Sequence, residues 1–319
     1  MTQQKNARNL QAILTALVLI PFGYYVYLNK SDFEVLLEIS GVNLAFLSTL
    51  IIVTSFFNAA QNAVLIRSLG TPFSDLESFG LSNISALVNF IIPQGLSITK
   101  AIYLKQRHAI SYSRFSALFL GLLVVFLFIG ALFMVLTNTV AALQGIEVPK
   151  ILWLGSLLGV VPSLLFFFDI PKQAFGKLGK VGMLLGSFSD GWKEIRSNKT
   201  CLMKACLWQI AIFISSGIGV TVAYRSIGIK IDPFLGISLA VFISFSNLLA
   251  IIPGNFGIQE VVYGYLSYVS GLLFVQGVVI STLMRAIALF VTLAIAPFSW
   301  YFLFFRQRIK IHQWTDRRK

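Results

Sequence analysis

Glu260 and Arg285 are charges set in apolar surroundings, in the runs PGNFGIQE and STLMRAIALF. An arginine well inside an apolar run stands on the order of 15 Å from either end of a spanning helix, where an unpaired guanidinium is costly. It must face protein, water or an opposite charge, and Glu260 is the nearest candidate in sequence. Two readings stay open. The pair locks two segments together as a structural ion pair, or Arg285 contacts an anionic headgroup while Glu260 tunes it. The turn ahead of Glu260 adds further anion chemistry. Pro253 removes a backbone donor and ends the preceding helix, and Gly254 and Gly257 relax the limits on backbone dihedrals. Asn255 lies between them. A helix starting after Gly257 aims its amide dipoles at the turn, where a lipid phosphate could sit. Asn247 could cap freed backbone groups or bind a ligand. Glu260 is also a candidate proton carrier.

A second break resembles the first. Asn89-Phe-Ile-Ile-Pro93 precedes it, as Asn247-Leu-Leu-Ala-Ile-Ile-Pro253 precedes the other, and a lone charge follows each proline at the same distance, Lys100 in one and Glu260 in the other. Asn89 has the same two roles open to it as Asn247. Lys100 could snorkel to the interface or meet a ligand.

Other chemistry is missing from the sequence. There is no paired acidic motif for metal-nucleotide binding, no glycine-rich phosphate loop, no HExxH and no nucleophile elbow. Cys201 and Cys206 lie on different helix faces without a metal pattern and read as free thiols. His108 and His312 occupy basic stretches with no carboxylate or cysteine arrangement nearby. Tyr263, Tyr265 and Tyr268 read as interfacial or packing aromatics. No enzyme activity, cofactor or metal is expected.

The elements that must position these residues are set by composition. Of 319 residues, 57% are hydrophobic and 12% charged, against about 25% charged in a soluble domain. Apolar runs of spanning length recur along the chain, and the short alternating strands of a membrane barrel do not. The fold class is therefore an all-α polytopic membrane protein. The net charge of +13 suits cytoplasmic loops and anionic headgroups, and no nucleic-acid partner is expected.

Six full spans are expected, over about 10–28, 42–65, 112–140, 151–170, 200–224 and 275–305, with two broken segments between them. The first, 79–92, stops at Pro93-Gln94-Gly95 and resumes as LSITKAIYLKQRH. Fourteen helical residues cover about 21 Å, short of the roughly 30 Å hydrocarbon core, so each break reads either as two short spanning helices or as a re-entrant hairpin, and the basic residues on both sides of the first favour the hairpin. The second spans about 234–273. The chain forms one integral membrane domain, with repeat one over about 10–140 and repeat two over about 151–305. An odd number of crossings inverts the second repeat, as in transporters that bind substrate between inverted halves. The positive-inside bias places the N-terminus, the 171–199 loop (with a surface helix near 183–195) and the 306–319 tail in the cytoplasm.

The stretches NFIIPQGLSITKAIYLKQRHAISYSRF and SFSNLLAIIPGNFGIQE, with the later run MRA at Arg285, resemble the lysylphosphatidylglycerol synthase transmembrane-region family. Pro253, Gly254, Gly257 and Glu260 match its Pro-Gly-x-x-Gly-x-x-Glu pattern. The resemblance implies a flippase-like domain of a prokaryotic cytoplasmic membrane that moves an anionic, aminoacylated or isoprenoid-linked lipid between leaflets. Its partners would be membrane lipids and a lipid-modifying enzyme. The alternative is a membrane subunit or scaffold for such an enzyme, or a lipid-carrier transferase. Two departures are expected: no soluble synthase domain, and no acidic-arginine pair in 121–127.

Overall fold

A computed structural model describes residues 20–92, 94–165, 182, 193, 195–249 and 253–305. Among the described residues the regular structure is helical throughout. After α1, seen over 20–28, come α2 (Lys30–Glu34) and a 3₁₀ turn at Val35–Leu37. α3 (Gly41–Ser68), α4 (Asp75–Ile91), α5 (Gly95–His108), α6 (Tyr112–Leu143) and α7 (Lys150–Leu165) complete the first part. α8 (Lys199–Ser226), α9 (Pro233–Ser246), α10 (Ile258–Val269) and α11 (Phe274–Trp300) complete the second, with a π turn at Tyr301–Phe305. The 3₁₀ turns Asn247–Leu249 and Pro253–Asn255 lie between α9 and α10.

Local chemistry sets many of the boundaries. Free amides at a helix start need acceptors, and Ser, Asp and Asn side chains supply them. Ser40 caps α3, Ser111 caps α6 and Asn198 caps α8. Asp232 accepts from Phe234 and Leu235 at the start of α9, where Pro233 fits the first turn. Ser74 accepts from Glu77 at 3.0 Å, so α4 begins at Asp75 and not at the expected 79.

α3, α6, α8 and α11 are each long and apolar enough to cross a membrane. The chain is thus a multi-pass membrane protein. The expected spans over 10–28 and 151–170 lie partly outside the described residues, as do Pro93, the 306–319 tail, and most of the 171–199 loop and its expected surface helix. The hairpin arms are shorter. By helix rise, α4, α5, α9 and α10 measure about 25, 21, 21 and 18 Å, each under the roughly 30 Å hydrocarbon core.

Packing crosses between the halves. α3 lies antiparallel along α8: Gln61 donates to Ala205 and Gln209, and Thr54 to Ser215. α4 packs on α11, and α9 packs on α6. On the second contact, the Thr137 and Ser238 hydroxyls share a 2.6 Å hydrogen bond. The main core gathers around Phe213, Tyr224, Leu239, Leu266 and Ile280. Removing such side chains from lipid gains little hydrophobic energy, so close packing and hydrogen bonds hold the helices together. Gly277 shows how tight this packing is, since a Cβ there would clash with the Tyr263 carbonyl oxygen.

Candidate functional site

At the second break the chain bends by left-handed backbone. Gly254 and Asn255 both have φ near +58°, and Gly257 has φ +81°, which a glycine adopts without the Cβ penalty. Such a turn leaves carbonyls without helical partners, and Arg285 of α11 meets them. Its Nη1 donates to the Gly254 carbonyl at 2.7 Å, and its Nη2 to the Asn255 carbonyl at 3.3 Å and Gln259 Oε1 at 3.0 Å. Nε stands 2.9 Å from Glu260 Oε1, with its N–H turned off that line, so this contact is an ion pair without an aligned hydrogen bond. The guanidinium also lies 4.1 Å from the Phe256 ring centre, a cation–π distance.

Glu260 uses its other oxygen to accept from the Gly257 amide at 2.7 Å. The carboxylate thus occupies the helix N-terminus where sequence reasoning expected a lipid phosphate. Asn247 closes the turn from the far side, its Oδ1 accepting from Asn255 Nδ2 at 3.0 Å and Gln259 Nε2 at 2.6 Å. Pro253, Gly254, Asn255, Gly257, Glu260, Arg285 and Asn247 are therefore brought together at one turn. Most of the guanidinium's five donors are engaged inside the hairpin.

The first break is built differently. Gln94 holds φ +54°, and Gly95 packs so closely on α4 that a Cβ would stand 2.7 Å from the Val88 carbonyl oxygen. Asn89 Oδ1 accepts from the Leu96 amide at 3.5 Å, a long contact. Phe90 lies against Gly254 of the second turn, so the two breaks adjoin. At the hairpin base, Glu77 Oε1 accepts from the Tyr103 hydroxyl at 2.8 Å and lies 2.8 Å from His108 Nε2. This corrects the expectation that His108 has no carboxylate near it: the partner sits on the preceding helix, out of sight of local sequence. Arg67 pairs with Asp75 at 2.8 Å on the half-exposed surface.

Lys100 is separated from the second turn and faces a cavity of about 440 Å³. It is only 8% exposed, and its ammonium makes no hydrogen bond or ion pair among the described residues. α3 supplies Thr54, Asn58, Gln61 and Asn62 to the same wall, spaced to fall on one helix face. α8 supplies Gln209 and Ser216, α4 supplies Ser82 and Asn83, and Ser244 and Asn247 close it from the second hairpin. The Ser82 hydroxyl is buried and makes no hydrogen bond among the described residues. Asn58 and Leu248 are exposed and form an open rim. A second cavity of about 230 Å³ shares Thr54, Ser55, Ser216, Ser244 and Asn247 with the first and continues to Gln259 and Tyr263.

Sequence reasoning missed the α3 and α8 residues. The polar stripe of Thr54, Asn58, Gln61 and Asn62 inside an apolar span was the available signal. Gln209 stands about 15 Å along the axis from the start of α8, which is half the hydrocarbon thickness. An open cavity lined by such amide and hydroxyl groups can hold a polar group of headgroup size.

A family model described as the lysylphosphatidylglycerol synthase TM region matches residues 10–296. Searches of curated proteins and of solved structures returned no match.

Proposed function

The chain belongs to the lysylphosphatidylglycerol synthase TM region family, and from that premise we propose that it is a flippase-like protein that binds a lipid headgroup in its interior and passes it between leaflets. The observation that carries this reading is the cavity walled by both hairpins, with Lys100 on one side and Asn247 on the other. Its volume suits a headgroup-sized ligand. The adjoining cavity extends the polar path toward Gln259.

The proposed architecture is two inverted repeats with six spans and two re-entrant hairpins. Three features support it: the antiparallel α3–α8 contact, the reciprocal α4–α11 and α9–α6 contacts, and the short hairpin arms. In an inverted pair, equivalent elements meet across the axis and each hairpin packs on the other half. The membrane would be the cytoplasmic membrane of a prokaryote, with both termini inside. The partners would be membrane lipids and an enzyme that makes or uses the moved lipid. No catalytic role is assigned to this chain.

In the proposed mechanism, the Arg285–Glu260 pair holds the second turn open in shape without taking the ligand. Headgroup contact falls to Lys100 and the amide and hydroxyl groups around it. The test is reconstitution of the purified protein in liposomes carrying a panel of headgroup-labelled lipids, with leaflet exchange followed by quenching of the outer label. Exchange above protein-free liposomes for at least one lipid is expected. Exchange at the protein-free rate for every lipid overturns the translocase reading.

A further inference from the structure

We propose that Lys100 makes the cavity selective for a phosphate anion without a compensating amine, so that anionic lipid headgroups enter and aminoacylated, net cationic ones are rejected. This rests on the reading of the cavity as a headgroup site and specifies which headgroup it takes.

The argument begins with the count of charges. Among the described residues, Lys100 is the only charged one on the wall of the 440 Å³ cavity, of the 230 Å³ cavity beyond it, or of the small pocket behind Lys100. The nearest hairpin carboxylates are committed elsewhere. Glu77 is held by Tyr103 and His108, and Glu260 by Arg285 and the Gly257 amide. A buried ion needs a counter-charge or strong hydrogen bonds, and Lys100 has neither among the described residues. An anion entering the open cavity would supply that counter-charge. Ser82 lies on the same wall, and its hydroxyl has no hydrogen-bond partner among the described residues. Asn62 and Gln209 add neutral polar groups. An aminoacyl headgroup would bring an ammonium into a cavity with no carboxylate to receive it, beside a like charge.

Either a lipid phosphate or free phosphate could supply this chemistry, and the experiment separates them. The full-length protein in detergent micelles is titrated with phosphatidylglycerol, with lysyl-phosphatidylglycerol and with inorganic phosphate, and binding is followed by native mass spectrometry. Thermal melting of each variant checks its fold. The wild-type protein is expected to bind phosphatidylglycerol at least about tenfold tighter than the lysyl form, the discrimination expected of one charge-assisted contact. Lys100→Gln should lose about tenfold for the anionic lipid and Lys100→Arg should retain it, while Lys100→Glu should reverse the preference. Inorganic phosphate binding as strongly as the lipid would overturn a headgroup site in favour of a free-anion site. Equal or tighter binding of the lysyl lipid by the wild type overturns the charge selectivity but leaves translocation standing, as does unchanged binding in a folded Lys100→Gln. If no lipid binds at all, the headgroup reading itself falls.

Discussion

The Arg285 guanidinium holds the Gly254 carbonyl at 2.7 Å, so a side chain from the last long helix completes a turn that the second hairpin cannot complete alone. The same group pairs with Glu260, whose side chain is almost fully buried. Arg285→Ala leaves that carboxylate with only the Gly257 amide and takes the guanidinium donor from two turn carbonyls. It should cost about 3–5 kcal/mol, read as a lowered unfolding temperature in detergent. Adding Glu260→Gln should cost less than the sum of the two single changes, because the groups share one network. Additive losses would show that the pair does not act as a unit.

Close helix contacts make a second prediction. Gly277→Ala forces a Cβ against the Tyr263 carbonyl oxygen at the α10–α11 crossing, and Gly95→Ala forces one against the Val88 carbonyl oxygen at the first break. Backbone cannot move aside as a flexible side chain does, so each should destabilise by about 1–3 kcal/mol. Thermal melting in detergent measures it. Gly145→Ala is not a suitable control because of its left-handed backbone, whereas Gly41→Ala, at an open position, should be near neutral.

Glu77 ties the ends of the first hairpin through Tyr103 and His108. Glu77→Ala leaves the Tyr103 hydroxyl without its acceptor, a loss of about 1–3 kcal/mol. Local opening should follow, with faster amide hydrogen exchange over 95–108 than over α8. Exchange rising equally everywhere would show that the contact is not local to the hairpin.

Re-entrance of the first hairpin is checked by chemical access. Cys201 and Cys206 are first replaced by serine, and single cysteines are placed at Ile92 and Ser111, both exposed positions. An impermeant maleimide should label Ser111→Cys from one face of sealed vesicles and should not label Ile92→Cys from the opposite face. Labelling of Ile92→Cys from that opposite face would mean that α4 and α5 each span the bilayer.

The membrane class, the two helix breaks and the candidate partner of Arg285 were legible in the chain order alone. These follow from local facts: apolar run length, a proline with flanking glycines, and the cost of a lone charge in lipid. The family pattern Pro253-Gly254-x-x-Gly257-x-x-Glu260 was likewise local. Tertiary structure decided what faces what. In lipid both faces of a span are apolar, so periodicity does not mark the inward side. Thr54, Asn58 and Gln61 on α3 therefore gain meaning only when α8 places Gln209 and Ser216 beside them. His108 finds Glu77 only when α5 folds back on α4. Only the assembled helices distinguish the two lone hairpin charges, Glu260 neutralised by Arg285 of α11 and Lys100 left facing a cavity with no counter-charge among the described residues. The physical reason is that a charge's role depends on which distant groups share its low-dielectric surroundings, and chain order does not fix that.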